Sequence, residues 1–305
     1  MASKRTYVPP VPNRVRLVVA SSVMLTFISF WRAAAIVLND LGSSAFYAGG
    51  IAEEAVGKSA PWLILGTMFF SYAVRAVYVE SCSMYTRGGV YRIVKEALGG
   101  TFAKVSVSAL MFDYVLTGPI SGVSAGQYIV GLLNGLIVQM ASSPRYHHWA
   151  VNAAGAPLQF NVNHTSAFIA AIITFYFWWQ NIKGIEESSE KALTIMKITT
   201  VMVVILIGWG LFSVGHNGAT LPPLPTPSNL NFSSDALGFL KHTQFAKNLG
   251  LFGILMAFGH SVLAMSGEES LAQVNREIEH PKLKNLKRAA LVIALYSMVF
   301  TGLGS

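Results

Sequence analysis

Residues 39–50 read NDLGSSAFYAGG, from Asn39 and Asp40 through Gly42-Ser43-Ser44 to Gly49-Gly50. The stretch interrupts an apolar run that is long enough to cross a bilayer. It opens with an acid and holds three glycines and two serines. A lipid-facing helix does not accept Asp40 at depth, and Gly42-Ser43-Ser44 is weak helix material. Irregular backbone is tolerated in a membrane where it lines a cavity between helices. The stretch therefore predicts the unwound part of a discontinuous helix, where a small solute or ion binds.

Composition supports the membrane setting. The chain has 305 residues, 53% hydrophobic and 12% charged, with mean hydropathy +0.50. A soluble domain carries about 25% charge. The class expected is an all-α polytopic membrane protein, integral to the plasma (inner) membrane with a cytoplasmic N-terminus. The net charge of +8 sits mostly in loops, as the positive-inside rule places it, and does not indicate nucleic-acid binding. The lone Cys82 rules out an internal disulfide and a cysteine metal cage. His147, His148 and His164 lack metal-ligand spacing, so neither metal nor cofactor is expected. There is no Walker loop and no His-Glu-x-x-His, so no enzyme and no ATP-driven pump is expected.

Residues 1–16 read as a basic cytoplasmic tail, and 17–31 as an extra interfacial or partly inserted segment. From 17 to 52 the chain would extend about 54 Å as helix, too long for one crossing. The first true span is therefore placed at 32–56. Further spans are read at Pro61–Cys82, Phe102–Val138, 166–182, 192–213 and 248–272. Gly118-Pro119 should kink the third. Residues 214–247 form an external loop. A seventh span starts near 289 and is cut by the chain end, so we expect a fragment of a longer transporter.

The sixth span carries a second interruption, SVLAMSGEES (261–270). Ser266-Gly267 are its small residues and Glu268-Glu269 its acids. Two interruptions five spans apart point to an inverted-repeat transporter. Broken helices expose carbonyls to cations and amides to anions, and the half-helix dipoles add charge there. Asp40, Asp113 and Glu269 are acids inside spans, where such residues mark ion or proton paths. A dehydrated K⁺ needs several oxygens from carboxylates, hydroxyls and unwound carbonyls. A carboxyl at low dielectric can also hold a proton near neutral pH, so one of the three can couple transport to protons.

Three stretches carry a family resemblance: YVESCSMYTRGGVYRIVKEALGG (78–100), QNIKGIEESSEKALTIMK (180–197) and GEESLAQVNREIEHPKLKNLKRA (267–289). They resemble the amino acid–polyamine–organocation (APC) superfamily over nearly all of 32–305. The resemblance implies the LeuT-type fold of two five-helix inverted repeats. Residues 32–213 would be the first repeat and 248–305 the first two helices of the second, truncated within the seventh span.

A narrower resemblance concerns the substrate. Asp40-Leu-Gly-Ser-Ser-Ala-Phe-Tyr47 looks like the broken first helix of the Kup and KimA potassium–proton symporters. Asp113-Tyr114-Val-Leu-Thr117 with Ser121 looks like their third-span ion motif, and Ser266 and Glu269 fall where they place a hydroxyl and a glutamate. By carry-over, Asp40, Tyr47, Asp113, Tyr114, Thr117, Ser121, Ser266 and Glu269 would line a cation path, with Gly42 and Ser43 at the break. The chain departs from that group at Phe46, at Gly118-Pro119 and in its N-terminal segment.

The function expected is cation-coupled symport by alternating access, with potassium and protons foremost. The alternative is a proton- or sodium-coupled amino acid permease, in which Gly42, Ser43 and Ser44 amides hold the substrate carboxylate. A transporter-like sensor is the third reading. Partners are thus K⁺ or an amino acid, a coupling H⁺ or Na⁺ and the lipid bilayer, with a homodimer as the alternative to a monomer.

Blander roles stand beside these. Asp40 can cap the following half-helix. Arg75 can close a structural ion pair, with Glu80 or with a site acid such as Asp113. Glu268 and Glu269 are adjacent and cannot both face one cavity, and Glu269 is favoured for it. His260 reads as a hydrogen-bonded packing residue.

Overall fold

Helix α1, Phe30–Leu41, begins where the Ser29 hydroxyl accepts the Arg32 N–H at 3.4 Å. It ends at Gly42, and residues Gly42–Phe46 tighten into a 3₁₀ turn. The Ser43 and Ser44 hydroxyls donate to the Asp40 and Leu41 carbonyls at 2.7 and 2.6 Å. Short hydroxyl side chains thus take up acceptors at the end of a helix that stops inside the protein. Helix α2, Ala48–Val56, continues the span and stops at Gly57, whose φ of +85° suits glycine. In this computed structural model, residues 27–85, 89–152, 155–182, 185–243 and 249–304 are described. The tail and most of the 17–31 segment lie outside them.

Helix α3, Ala60–Met84, has Pro61 in its first turn, where a missing N–H leaves no bond unmade. A short exposed helix α4, Val90–Leu98, leads through Gly99 into α5, Gly100–Ser142. After an irregular connection come α6, Val162–Ile182, and α7, Ile185–Asn217. A mostly irregular loop then precedes α8, Gly250–Ser261. A 3₁₀ turn, Val262–Met265, and an irregular Ser266–Glu269 follow before the short α9, Ser270–Val274. Helix α10, Lys282–Ser297, continues as a π turn over Met298–Gly302. Among the described residues there is no strand, only isolated bridges.

Helix α5 passes through Gly118 and Pro119 without interruption, one helix of 43 residues and about 65 Å long. The helix of the fifth span likewise begins before its apolar run, because the charged Glu187–Lys191 segment extends it at the N-terminal end. Among the described residues, four stretches are long and apolar enough to cross a bilayer: Ala60–Met84, Gly100–Ser142, Glu187–Asn217 and Gly250–Glu277. Their apolar side chains stay largely exposed outward, as with Met111 and Leu211, which suits lipid rather than water.

Helices α5 and α6 meet through small residues. Gly122 and Gly126 sit one turn apart, and a methyl at Gly126 would lie 2.6 Å from the Ser166 carbonyl. One at Gly122 would lie 3.2 Å from the Ala170 methyl. This is the close backbone approach that small residues four apart allow within membranes. Gly122-Val-Ser-Ala-Gly126 also has the letters of a nucleophile elbow. It lies mid-helix rather than at a strand-to-helix turn, and its glycines serve packing.

Two apolar clusters bury opposite halves of the broken spans. The first joins α1 (Ala34, Val37, Leu41) to α9 and α10 (Leu271, Leu286, Ile293). The second joins α2 (Ala52, Val56) to α3 and α8 (Ile64, Met68, Ala257). The interrupted spans therefore run past each other in opposite directions. Each half is held by its own apolar contacts, which leaves the polar interruptions level with one another between the clusters. Backbone bonds add a tie: Ile28 N–H donates to Glu277 at 2.8 Å, and Glu279 N–H to Ile28 at 3.0 Å.

Candidate functional site

The two interruptions touch directly. The Ser44 hydroxyl, fully buried, stands 2.6 Å from the Leu41 carbonyl and 2.8 Å from the Ala264 carbonyl. Gly267 lies against Asp40 with φ of +100°. A methyl there would stand 2.8 Å from both Asp40 Cγ and the Leu41 nitrogen. Glycine is required at this point by backbone angle and by space alike. The Ser270 hydroxyl donates to Asp40 Oδ2 at 2.9 Å. Asp40 belongs to the first interruption, and its carboxylate is held by the second.

Helix α5 supplies the third wall. Ser121 Oγ is 3.3 Å from Ser43 Oγ. Ser266 donates to Asp113 Oδ2 at 3.4 Å, Thr117 donates to Asp113 Oδ1 at 3.5 Å, and the Thr117 and Ser266 hydroxyls are 3.4 Å apart. These are long contacts, at the outer limit for O–H···O bonds. The Tyr114 hydroxyl accepts from Gln273 Nε2.

Glu268 and Glu269 divide their roles. Glu268 turns to α3, where Arg75 Nε donates to Oε2 at 2.9 Å and Nη2 to Oε1. Ser71 donates to the same carboxylate at 2.8 Å. Arg75 Nη2 also reaches Ser297 Oγ at 3.4 Å. Arg75 thus pairs with neither Glu80 nor Asp113. It closes a buried ion pair beside the site, with its charge neutralised. Glu269 faces the other way, within electrostatic reach of Asp40, Asp113 and Tyr114. Its Oε1 is buried and has no hydrogen-bond partner among the described residues. A buried carboxylate oxygen left so calls for a cation, a proton or water.

Of the residues expected at the site, Asp40, Ser43, Asp113, Tyr114, Thr117, Ser121, Ser266 and Glu269 line one polar seam between α5 and the two interruptions. Gly42 lies beside it, buried, where a methyl would meet only Tyr296 Cε1 at 3.8 Å. Tyr47 is placed elsewhere, in the second apolar cluster, because the 3₁₀ turn rotates it away from Asp40. The sequence reading missed Ser270 and Gln273. Gln273 follows Glu269 by four residues, the spacing of one helical face, and that was the available signal. His260 Nε2 lies 3.1 Å from the Ala236 carbonyl, a packing contact outside the seam. Among the described residues no cluster of His, Cys, Asp and Glu could hold a bound metal.

Opposed broken helices, apolar outer faces and an oxygen-rich seam are the features of a polytopic membrane protein with a polar interior path. Comparison with known proteins agrees: residues 28–305 match the amino acid permease family, and the chain belongs to that family, within the APC superfamily. It is also similar to the potassium transporter KimA of Bacillus subtilis (strain 168), with 24% identity over 255 residues. That similarity covers 83% of this chain and 35% of the relative, so the chain spans about a third of that protein's length. No solved structure matches the chain significantly.

Proposed function

We propose that this permease is a secondary transporter moving potassium with protons by alternating access. The observation that carries the reading is that Asp40, Asp113 and Glu269 lie within electrostatic reach of one another along a seam with four hydroxyl side chains, while the Arg75 guanidinium is engaged by Glu268. Such a seam offers oxygens and negative charge to a cation and, among the described residues, no free positive side chain to a carboxylate. The name of the Bacillus relative supports it. In this reading the fold is the LeuT-type inverted repeat. Residues 32–213 form the first repeat and 248–305 open the second, with the N-terminus cytoplasmic in the inner membrane.

The second reading, a proton- or sodium-coupled amino acid permease, is favoured by the family description. There Asp40 pairs with the substrate's amino group. Uptake of radioactive rubidium into proteoliposomes, run against labelled amino acids under an imposed pH gradient, separates the two. Rubidium flux driven by the gradient without ATP supports the first. Amino acid flux without rubidium flux overturns it, and binding without any flux supports a sensor.

A further inference from the structure

The face of α5 that meets the interruptions is bracketed by two tyrosines. Tyr114, Ser121 and Tyr128 recur every seven residues, so they share one face over roughly 21 Å. Between the tyrosines lie the contacts Thr117–Ser266 and Ser121–Ser43. At one end the Tyr114 hydroxyl accepts from Gln273, beyond the second interruption. At the other the Tyr128 hydroxyl donates to the Phe46 carbonyl, at the close of the first. Gln273 also lines an open cavity of about 810 Å³, together with Tyr85, Arg92 and Arg276. Gln273 is exposed to that cavity, and its amide is bonded to Tyr114, which lies within reach of Glu269 and Asp40.

We propose that Tyr114–Gln273 and Tyr128–Phe46 are the two gates of the seam, one on the side of the basic cavity and one on the opposite side. The proposal rests on the reading of the seam as a transport path. Each gate is a single hydrogen bond at one end of a boundary where α5 also makes the small polar contacts of Thr117 and Ser121 and the apolar contact of Ile120. Losing one such bond shifts an open–closed equilibrium by roughly three- to tenfold. Gln273 is neutral, so it closes the path without competing as a cation or trapping one as a carboxylate. Tyr114 also lies within reach of Glu269 and Asp40. A cation drawn to Glu269 competes for the Tyr114 oxygen and loosens its bond to Gln273, which links occupancy to opening.

The test uses thiol labelling. With Cys82→Ser as background, Ser266→Cys reports access to the seam, and a water-soluble cationic methanethiosulfonate is applied to vesicles of either orientation. Gln273→Ala should speed labelling from the cavity side by roughly three- to tenfold and leave the other side unchanged. Tyr128→Phe should do the converse, and Tyr114→Phe should reproduce Gln273→Ala. Should Gln273→Ala not insert, Gln273→Met, which keeps volume without the donor, carries the same expectation. Equal acceleration from both sides, or unchanged rates in properly inserted variants, overturns the gates. Labelling needs no transported substrate, so the gates can fail while rubidium flux stands.

Discussion

Arg75 and Glu268 are joined through both guanidinium Nε and Nη2 to both carboxylate oxygens, and each side chain is at most 4% exposed. Ser71 and Ser297 complete the cluster, so α3, the second interruption and α10 are tied at one point. Removing one partner leaves the other charge buried and alone. Arg75→Ala should therefore cost about 3–5 kcal/mol of stability. The double replacement Arg75→Met with Glu268→Leu removes both charges and should recover much of that loss. Melting of the purified protein in detergent checks both. Equal melting temperatures for Arg75→Ala and the parent would show that the pair holds nothing.

Gly267 is the position where a single methyl should do most harm. Gly267→Ala puts that methyl 2.8 Å from Asp40 Cγ, at a φ of +100°. Backbone strain of about 1–2 kcal/mol adds to the clash. Both the melting temperature and uptake should fall. Gly50→Ala is the control, since α2 has open space there and no positive φ. It should raise stability by about 0.5–1 kcal/mol through helix propensity.

The interruptions were legible because they contradict their surroundings: an acid and glycines inside apolar runs leave few structural solutions. The three-walled seam was partly legible for the same reason, since Asp113 is an acid at depth on α5. The partner of Arg75 was not. A contact across 193 residues leaves no periodic trace, and Glu80 and Asp113 were equally plausible on charge alone. Tyr47 misled because spacing from Asp40 says nothing of the direction a 3₁₀ turn gives a side chain. Helix ends were misread where charged residues such as Glu187 extend a span beyond its apolar length.

Packing of α5 on α6 gives a separate expectation. Gly126→Val drives side-chain carbons into the Ser166 backbone, whose carbonyl oxygen lies only 2.6 Å from where even a methyl would sit. Overpacking at such a site costs about 1–3 kcal/mol. Gly131→Ala, on the same helix with open space around it, should instead stabilise by about 0.5–1 kcal/mol, as at Gly50. Thermal unfolding of the two variants side by side distinguishes a tight crossing from general sensitivity of α5.

The seam itself makes the last expectation. Asp113→Asn keeps size and some hydrogen bonding but removes a charge from the proposed cation path. Rubidium uptake should fall to background while membrane insertion and melting stay near the parent. Normal uptake by that variant sinks the assignment of Asp113. Ser270→Ala tests Asp40 more gently, because it removes one charge-assisted bond at 2.9 Å and leaves the carboxylate in place. Such a bond contributes about 1.5–3 kcal/mol to the ligand-free protein, so melting should fall, and the loss of the carboxylate's aim should appear as a higher half-saturation with the maximal rate less affected. A lower maximal rate at unchanged half-saturation would instead place Asp40 in the conformational step, acting through its contact with Gly267 rather than through the ion.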